Sequence, residues 1–411
     1  MKNEKVLLPK LFKTEYRKII SVLCNTFGLS QIEIAEDIAS DTFALASETW
    51  GLKGIPDNPT AWLYTVAKNR AKDYFKREKI FSEKILPEVN SKLEKSDEIR
   101  IDFSKSNIND SQLKMIFVLC NPNISQEAQI GLCLRILCGL GIDEIAEAFL
   151  TKKQTIEKRL FRAKLKLKKL DFKIEIPKSD DLTKRLDTVL ATLYLLFNEG
   201  YCSNSKNLHL RKELCFEAMR LNYMLIENDF TNKPGVNALM ALMCFHSSRF
   251  EARTNKSGEP VLYYEQDKQL WSQELVHRGN YFLTESARGD VISKYHLEAS
   301  IAYWHSTKIE NPKKWNHILE LYNKLLQIKY TPTVALNRTF ALSKVYGSEN
   351  AIAEAYKLKL DDNHFYHTLL AILLQETNKS KAIEHLNIAL KIAKSDTDKN
   401  TITNYLNKLY D

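Results

Sequence analysis

Apolar positions along this 411-residue chain recur at helical rather than alternating spacing. From Leu8 to Lys79 the amphipathic stretches are broken at Gly28, between Gly51 and Gly54, and between Pro56 and Pro59. Residues Arg77 to Asp110 are rich in Lys, Glu, Ser and Asn and only weakly periodic, which predicts a linker. The helical pattern resumes at Ser111 and closes after Leu170, near Pro177. Beyond Asp181 the chain predicts one helix after another, with breaks near Gly235, Pro260, Pro312, Pro332 and Gly347.

Two segments carry finer patterns. Ile142, Ile145, Ala146 and Phe149 form one apolar stripe, and Ile156, Leu160, Ala163, Leu167 and Leu170 form a second after a break at Thr151–Lys153. Two helices joined by so short a turn predict a helix-turn-helix. Near the C-terminus, Tyr366, Ala382, Leu386 and Ala389 follow the small/large spacing of a tetratricopeptide helix pair. Ala335, Ala351, Ala355 and Leu358 make a poorer copy 31 residues earlier. Stacked pairs of this kind leave a concave groove suited to a protein or peptide ligand.

Composition narrows the fold class. Glycine (12) and proline (10) are too few for a sandwich, barrel or propeller, which need frequent turns, so the expectation is all-α. No apolar run approaches the length of a membrane span, and the N-terminus lacks a signal-peptide core. The seven cysteines are scattered without a C-x-x-C, which predicts reduced, buried thiols in a cytoplasmic protein.

The net charge of +9 is uneven. Residues 1–170 hold 29 basic and 22 acidic side chains, and Thr151–Leu170 alone holds nine Lys/Arg against one Glu. A run like that commonly meets phosphates. Docking of the second helix by its stripe would turn Lys152, Lys153, Gln154, Thr155, Lys158, Arg159 and Arg162 outward. Residues near the helix N-terminus would then reach major-groove base edges, and the later cations flanking phosphates. In Thr60–Lys79 aromatics interleave with Lys68, Arg70, Lys72, Lys76, Arg77 and Lys79, a composition suited to unstacked single strands. Alone that composition is a weak signal, and Trp62 and Tyr74 fit a helix's own core better than a base platform. Upstream, Ile34–Ala46 is acidic and amphipathic, read either as a solvated face or as a docking surface.

In this order, ASDTFALASETW, NPTAWLYTVAKNRAKDYFKRE and EAQIGLCLRILCGLGIDEIAEAFLTKKQTIEKRLFRAKLKLKK resemble regions 2 and 4 of bacterial RNA polymerase sigma factors of the extracytoplasmic-function branch. LYLLFNEGY, ALMCFHSSRFEAR, YYEQDKQLW and PTVALNRTFAL are similar to the helical C-terminal extension of one subgroup, ending in tetratricopeptide-like repeats. The resemblance implies region 2 at 8–79, a linker at 80–110, region 4 at 111–172 and the extension at 173–411. It gives Asp37, Ile38, Asp41, Thr42 and Phe43 the role of binding the clamp helices of core polymerase. Asn58, Trp62, Lys68, Asn69, Arg70, Asp73 and Arg77 would hold the melted −10 element, and Lys152 to Arg162 would lie in the −35 major groove. Gly141 and Lys152 stand where relatives often carry a capping Ser or Thr, which implies weaker helix starts.

The expected partners are therefore core RNA polymerase, promoter DNA as duplex and melted strand, and a protein or peptide ligand of the extension, with no membrane. No catalytic spacing, metal-ligand set or cofactor loop stands out, so the chain reads as a transcription initiation factor without enzymatic activity. Phe197–Tyr201 and His246–Arg253 read as a structural polar site of the extension. A stand-alone helix-turn-helix regulator with a helical sensor domain is the alternative, and Thr60–Lys79 argues against it. An enzyme built on the extension is the other rival.

Overall fold

The computed structural model describes residues 2–85, 100–170, 173–201, 208–255, 261, 263–306 and 313–410. Among them every regular element is helical and there is no strand, so the all-α expectation holds. No helix among the described residues is long and apolar enough to cross a membrane. Six cysteines are free and buried; Cys202 lies outside the described residues. The chain forms two compact units, residues 1–205 with 209–231, and residues 206–208 with 232–411.

The first unit contains α1 (Lys2–Phe27), α2 (Ile32–Lys53), α3 (Pro59–Ile85), α4 (Lys105–Leu119), α5 (Gln126–Leu132), α6 (Ile142–Ala148), α7 (Lys153–Lys169), α8 (Ser179–Tyr201) and α9 (Leu208–Ile226). α1 is its axis. Tyr16, Ile19, Ile20 and Leu23 are fully buried, and α1 packs on α2, α3, α4 and the π-turn Cys133–Leu137 that continues α5. Gly139 closes that turn at φ 73, and a Cβ there would stand 2.9 Å from the Lys13 carbonyl. Only glycine allows both the left-handed backbone and this approach. Ser104 and Ser125 cap α4 and α5, and Glu144 reaches back to the Gly141 N–H at 2.7 Å. That carboxylate makes the reciprocal half of a capping box at the start of α6, satisfying the N-cap N–H, while the bond a capping hydroxyl would accept from the N3 N–H is not made by Gly141.

α8 joins this unit through buried polar contacts. Gln129 donates to the carbonyls of Asn121 (2.8 Å) and Ile124 (3.0 Å) and accepts from the Thr192 hydroxyl of α8 (2.5 Å). α9 joins it through ion pairs with α1. The first compact unit thus takes in α8 and most of α9, its last residue being Thr231. Within the expected 80–110 linker, α3 runs on to Ile85 and α4 begins at Lys105; residues 86–99 lie outside the described residues. Ile101 is buried and the Phe103 ring stacks on Tyr64 at 4.7 Å, so this stretch packs on α3.

The second unit contains α10 (Pro234–Ser247), α11 (Gln273–Ser286), α12 (Lys294–Ser306), α13 (Lys314–Ile328), α14 (Pro332–Tyr346), α15 (Ser348–Leu358), α16 (His364–Leu374), α17 (Lys379–Ile392) and α18 (Asp396–Tyr410). α10 is buried almost all round, as its run ALMALMCF requires. From α13 onward, consecutive helices pack around one continuous apolar core. The alanines singled out for their spacing, Ala351, Ala355, Ala382 and Ala389, are fully buried in it. Phe197–Tyr201 belongs to the first unit and His246–Arg253 to the second.

Candidate nucleic-acid and polymerase interface

α7 forms because its apolar residues recur on one face and its charges on the others. Ile156, Leu160, Ala163 and Leu167 are buried, each large one contributing roughly 1.5–3 kcal/mol by leaving water. Leu160 fits closely against α5, where a Cβ on Gly131 would lie 3.1 Å from its Cδ2. The turn before α7 is a Schellman arrangement: the Thr151 N–H donates to the Ala146 carbonyl (2.9 Å) and the Leu150 N–H to that of Glu147 (3.1 Å). Leu150 sits at φ 47 with its side chain largely in solvent, a left-handed position that glycine usually fills.

This docking leaves Lys152, Lys153, Gln154, Thr155, Lys158 and Arg162 exposed on the outer side of α7. Arg159 is half-buried, its guanidinium 5.5 Å from the Phe149 ring centre. Lys153 reaches Asp143 at 3.0 Å. Thr155, Lys158, Arg159, Arg162 and Lys166 face Ile124, Ser125 and Ala128 across an open groove. A cationic helix face beside a groove can neutralise phosphates and present donors to base edges.

α2 places its five candidate residues on two different sides. Asp37 and Asp41 are exposed, one turn apart. Ile38, Thr42 and Phe43 are buried. The Thr42 hydroxyl donates to the Ile38 carbonyl (2.7 Å), and Phe43 packs edge-on against Phe12 at 5.0 Å. Asp41 also accepts from Arg70 of α3 at 2.8 Å.

On α3, Asn69, Asp73 and Arg77 form one exposed row at i, i+4 and i+8. Asn58 is exposed and caps the helix, its side-chain oxygen accepting the Ala61 N–H at 3.0 Å. Trp62, Lys68 and Arg70 flank the row and are half-buried. Trp62 meets Trp50 edge-on at 5.4 Å, so one indole wall is committed to the fold. Other aromatics are used internally: Phe75 stacks on Phe27 at 3.6 Å, and the Tyr64 hydroxyl donates to Glu15. Burial, with the Glu15 carboxylate beside it, pushes the Tyr64 phenol far above its ordinary range and keeps it a donor.

Sequence reasoning missed the contacts that hold these pieces together. Arg135 donates to Glu36 (3.2 Å), to the Tyr16 hydroxyl (3.1 Å) and to the Leu140 carbonyl (3.2 Å). Lys164 pairs with Glu36, and Lys168 with Glu33 at 2.5 Å. Partners so distant in the chain leave no local periodic signal.

Residues 11–80 match sigma-70 region 2, which covers α1 from Leu11 onward, α2 and most of α3. A sigma-70 region 2 implies core RNA polymerase and promoter DNA as partners. Residues 185–287 match a family of unknown function, DUF6596. An uncharacterised protein of Rhizobium meliloti (strain 1021) is 32% identical over 356 residues, covering 85% of this chain and 83% of that protein. No solved structure matches. The chain thus belongs to one family with the Rhizobium meliloti protein, and its first module is a sigma-70 region 2, the domain of RNA polymerase sigma factors.

Proposed function

We propose that the chain is a sigma factor of the extracytoplasmic-function type, in which residues 111–172 act as region 4 and the helical extension regulates the two reading modules. The observation that carries this is the exposed row Lys152, Lys153, Gln154, Thr155, Lys158 and Arg162 on the second helix of a short-turn helix pair, following a sigma-70 region 2. In this reading α7 enters the −35 major groove, with Arg159 held beside it by Phe149. The row Asn69, Asp73 and Arg77, with the flanking Trp62, Lys68 and Arg70, holds the melted −10 strand, while Asn58 sets the start of α3. Asp37 and Asp41 face the polymerase clamp. Ile38, Thr42 and Phe43 support that surface from beneath rather than touching the partner.

The protein acts in the cytoplasm and does no covalent chemistry of its own. The α13–α18 helix pairs are a tetratricopeptide-like platform for a protein or peptide ligand. Run-off transcription with purified core polymerase tests the reading: transcripts from a cognate promoter should require both the chain and the core enzyme. Duplex binding without any core-dependent transcript would favour a stand-alone regulator instead.

A further inference from the structure

α9 touches both reading modules with one face. Glu213 accepts from Lys13 at 2.7 Å, and Glu217, one turn on, accepts from Arg17 at 2.7 Å; both cations belong to α1 of region 2. Arg220, on the same face, donates to the Leu137 carbonyl at 2.6 Å, in the π-turn that leads to α6 and α7. It also pairs with Glu217 at 2.8 Å, so the two contacts share one carboxylate. Beside this bridge the modules meet directly through Arg135–Glu36, Lys168–Glu33 and Lys13–Glu144.

We propose that α9, the second helix of the extension, is a staple holding the two promoter-reading modules in a closed, inactive arrangement that must open for transcription. This rests on the sigma-factor reading above. The argument is one of length. The −10 and −35 elements are about 25 base pairs apart, or about 85 Å of duplex at ~3.4 Å per pair. A compact unit of this size has a radius of gyration of only about 17 Å. Modules held together inside it, by the packing of α1 on α4 and the π-turn and by these ion pairs, cannot lie on both elements together. The closed form does leave the outer row of α7 in solvent, because Lys164 and Lys168 point the other way, toward Glu36 and Glu33. It can therefore meet −35 duplex but not complete the promoter complex. Core polymerase, by binding the open form better, would supply the energy to separate the modules.

The test uses the full chain carrying Glu213→Lys and Glu217→Lys, which turn both attractions on α1 into repulsions. Fluorescent unnatural amino acids at Thr65 on α3 and Glu157 on α7, both exposed, report the distance between modules. The proposal expects a longer distance than in the unaltered chain and core-dependent run-off raised about fivefold or more at limiting polymerase. Adding Arg17→Glu should restore one pair, shorten the distance and lower run-off again, which separates release of the staple from misfolding. An unchanged distance would overturn the staple. A longer distance without more run-off, where the unaltered chain does support transcription, would overturn its inhibitory role. A longer distance with no core-dependent transcript from either chain would overturn the sigma-factor reading itself, and the proposal with it.

Discussion

Arg135 and Glu36 stand 99 residues apart in the chain and meet at 3.2 Å, joining the turn after α5 to α2. Glu36 is buried and also receives Lys164 of α7, so one carboxylate serves two cations that are themselves largely covered. Its removal would leave both charges in the interior unpaired. Glu36→Ala is expected to destabilise the first unit by about 3–5 kcal/mol. Urea melts followed by the fluorescence of Trp50 and Trp62 would measure it; a change below about 1 kcal/mol would mean that water reaches both cations.

Asp41 pairs with Arg70 at 2.8 Å at the surface, the carboxylate exposed and the arginine half-buried. Such a pair contributes about 1 kcal/mol at most. Asp37→Lys with Asp41→Lys should therefore keep helicity by circular dichroism and abolish co-purification with core polymerase. Retained co-purification would place the polymerase contact elsewhere.

The two DNA-reading helices should separate by salt dependence. Lys158→Ala and Arg162→Ala are expected to weaken −35 duplex binding, each lost phosphate contact reducing the salt slope by about 0.9. Trp62→Ala should leave duplex affinity unchanged and impair melting, followed by permanganate reactivity of the −10 thymines. Equal losses of duplex affinity in all three variants would show that Trp62 serves only its contact with Trp50.

Leu150 occupies a left-handed position at φ 47 with little burial to lose. Leu150→Gly relieves strain of about 1–2 kcal/mol, part of which is offset by the greater freedom of glycine in the unfolded chain. A gain of up to about 1 kcal/mol in thermal or urea melts is expected, with −35 affinity preserved. A loss of stability would mean that the leucine's remaining contacts and the unfolded-state freedom of glycine outweigh the strain.

The second unit should be acid-sensitive. Burial depresses His305 to about 3, with Lys314 and Arg249 adding to it, and burial with Arg249 and Arg253 depresses His246 well below its ordinary value. Both are neutral when folded. Below pH 6.5 the unfolded chain binds more protons, so stability is lost as pH falls through that value toward 3, at about 1.4 kcal/mol per pH unit per histidine. Urea midpoints between pH 7.5 and 5 would show the loss. A flat profile in His246→Gln/His305→Gln beside a sloping one in the unaltered chain would assign it to this pair.

The legible parts of this fold were those written in local periodicity. The α7 stripe and its outward cations follow from spacing alone, and the structure places Ile156, Leu160, Ala163 and Leu167 inward as that spacing requires. Local spacing says less where a distant segment does the covering. Ile38, Thr42 and Phe43 share a helix with Asp37 and Asp41, but only the packing of α1 decides which side is covered. The stretch Ile101–Phe103 looked like linker because two apolar residues make no periodic run, yet Tyr64 and the core supply their partners. The attachment of α8 and α9 to the first unit was invisible, since Thr192 meets Gln129 and Arg220 meets Leu137 across 63 and 83 residues.

The most direct measurement is core-dependent run-off transcription from a cognate promoter, using the full chain beside one carrying Lys158→Ala and Arg162→Ala. The account predicts transcripts only when chain and core polymerase are both present, and a marked loss of them in the double variant at unchanged core affinity. Transcription by core polymerase that is indifferent to the chain, or equal yields from the two chains, would contradict it.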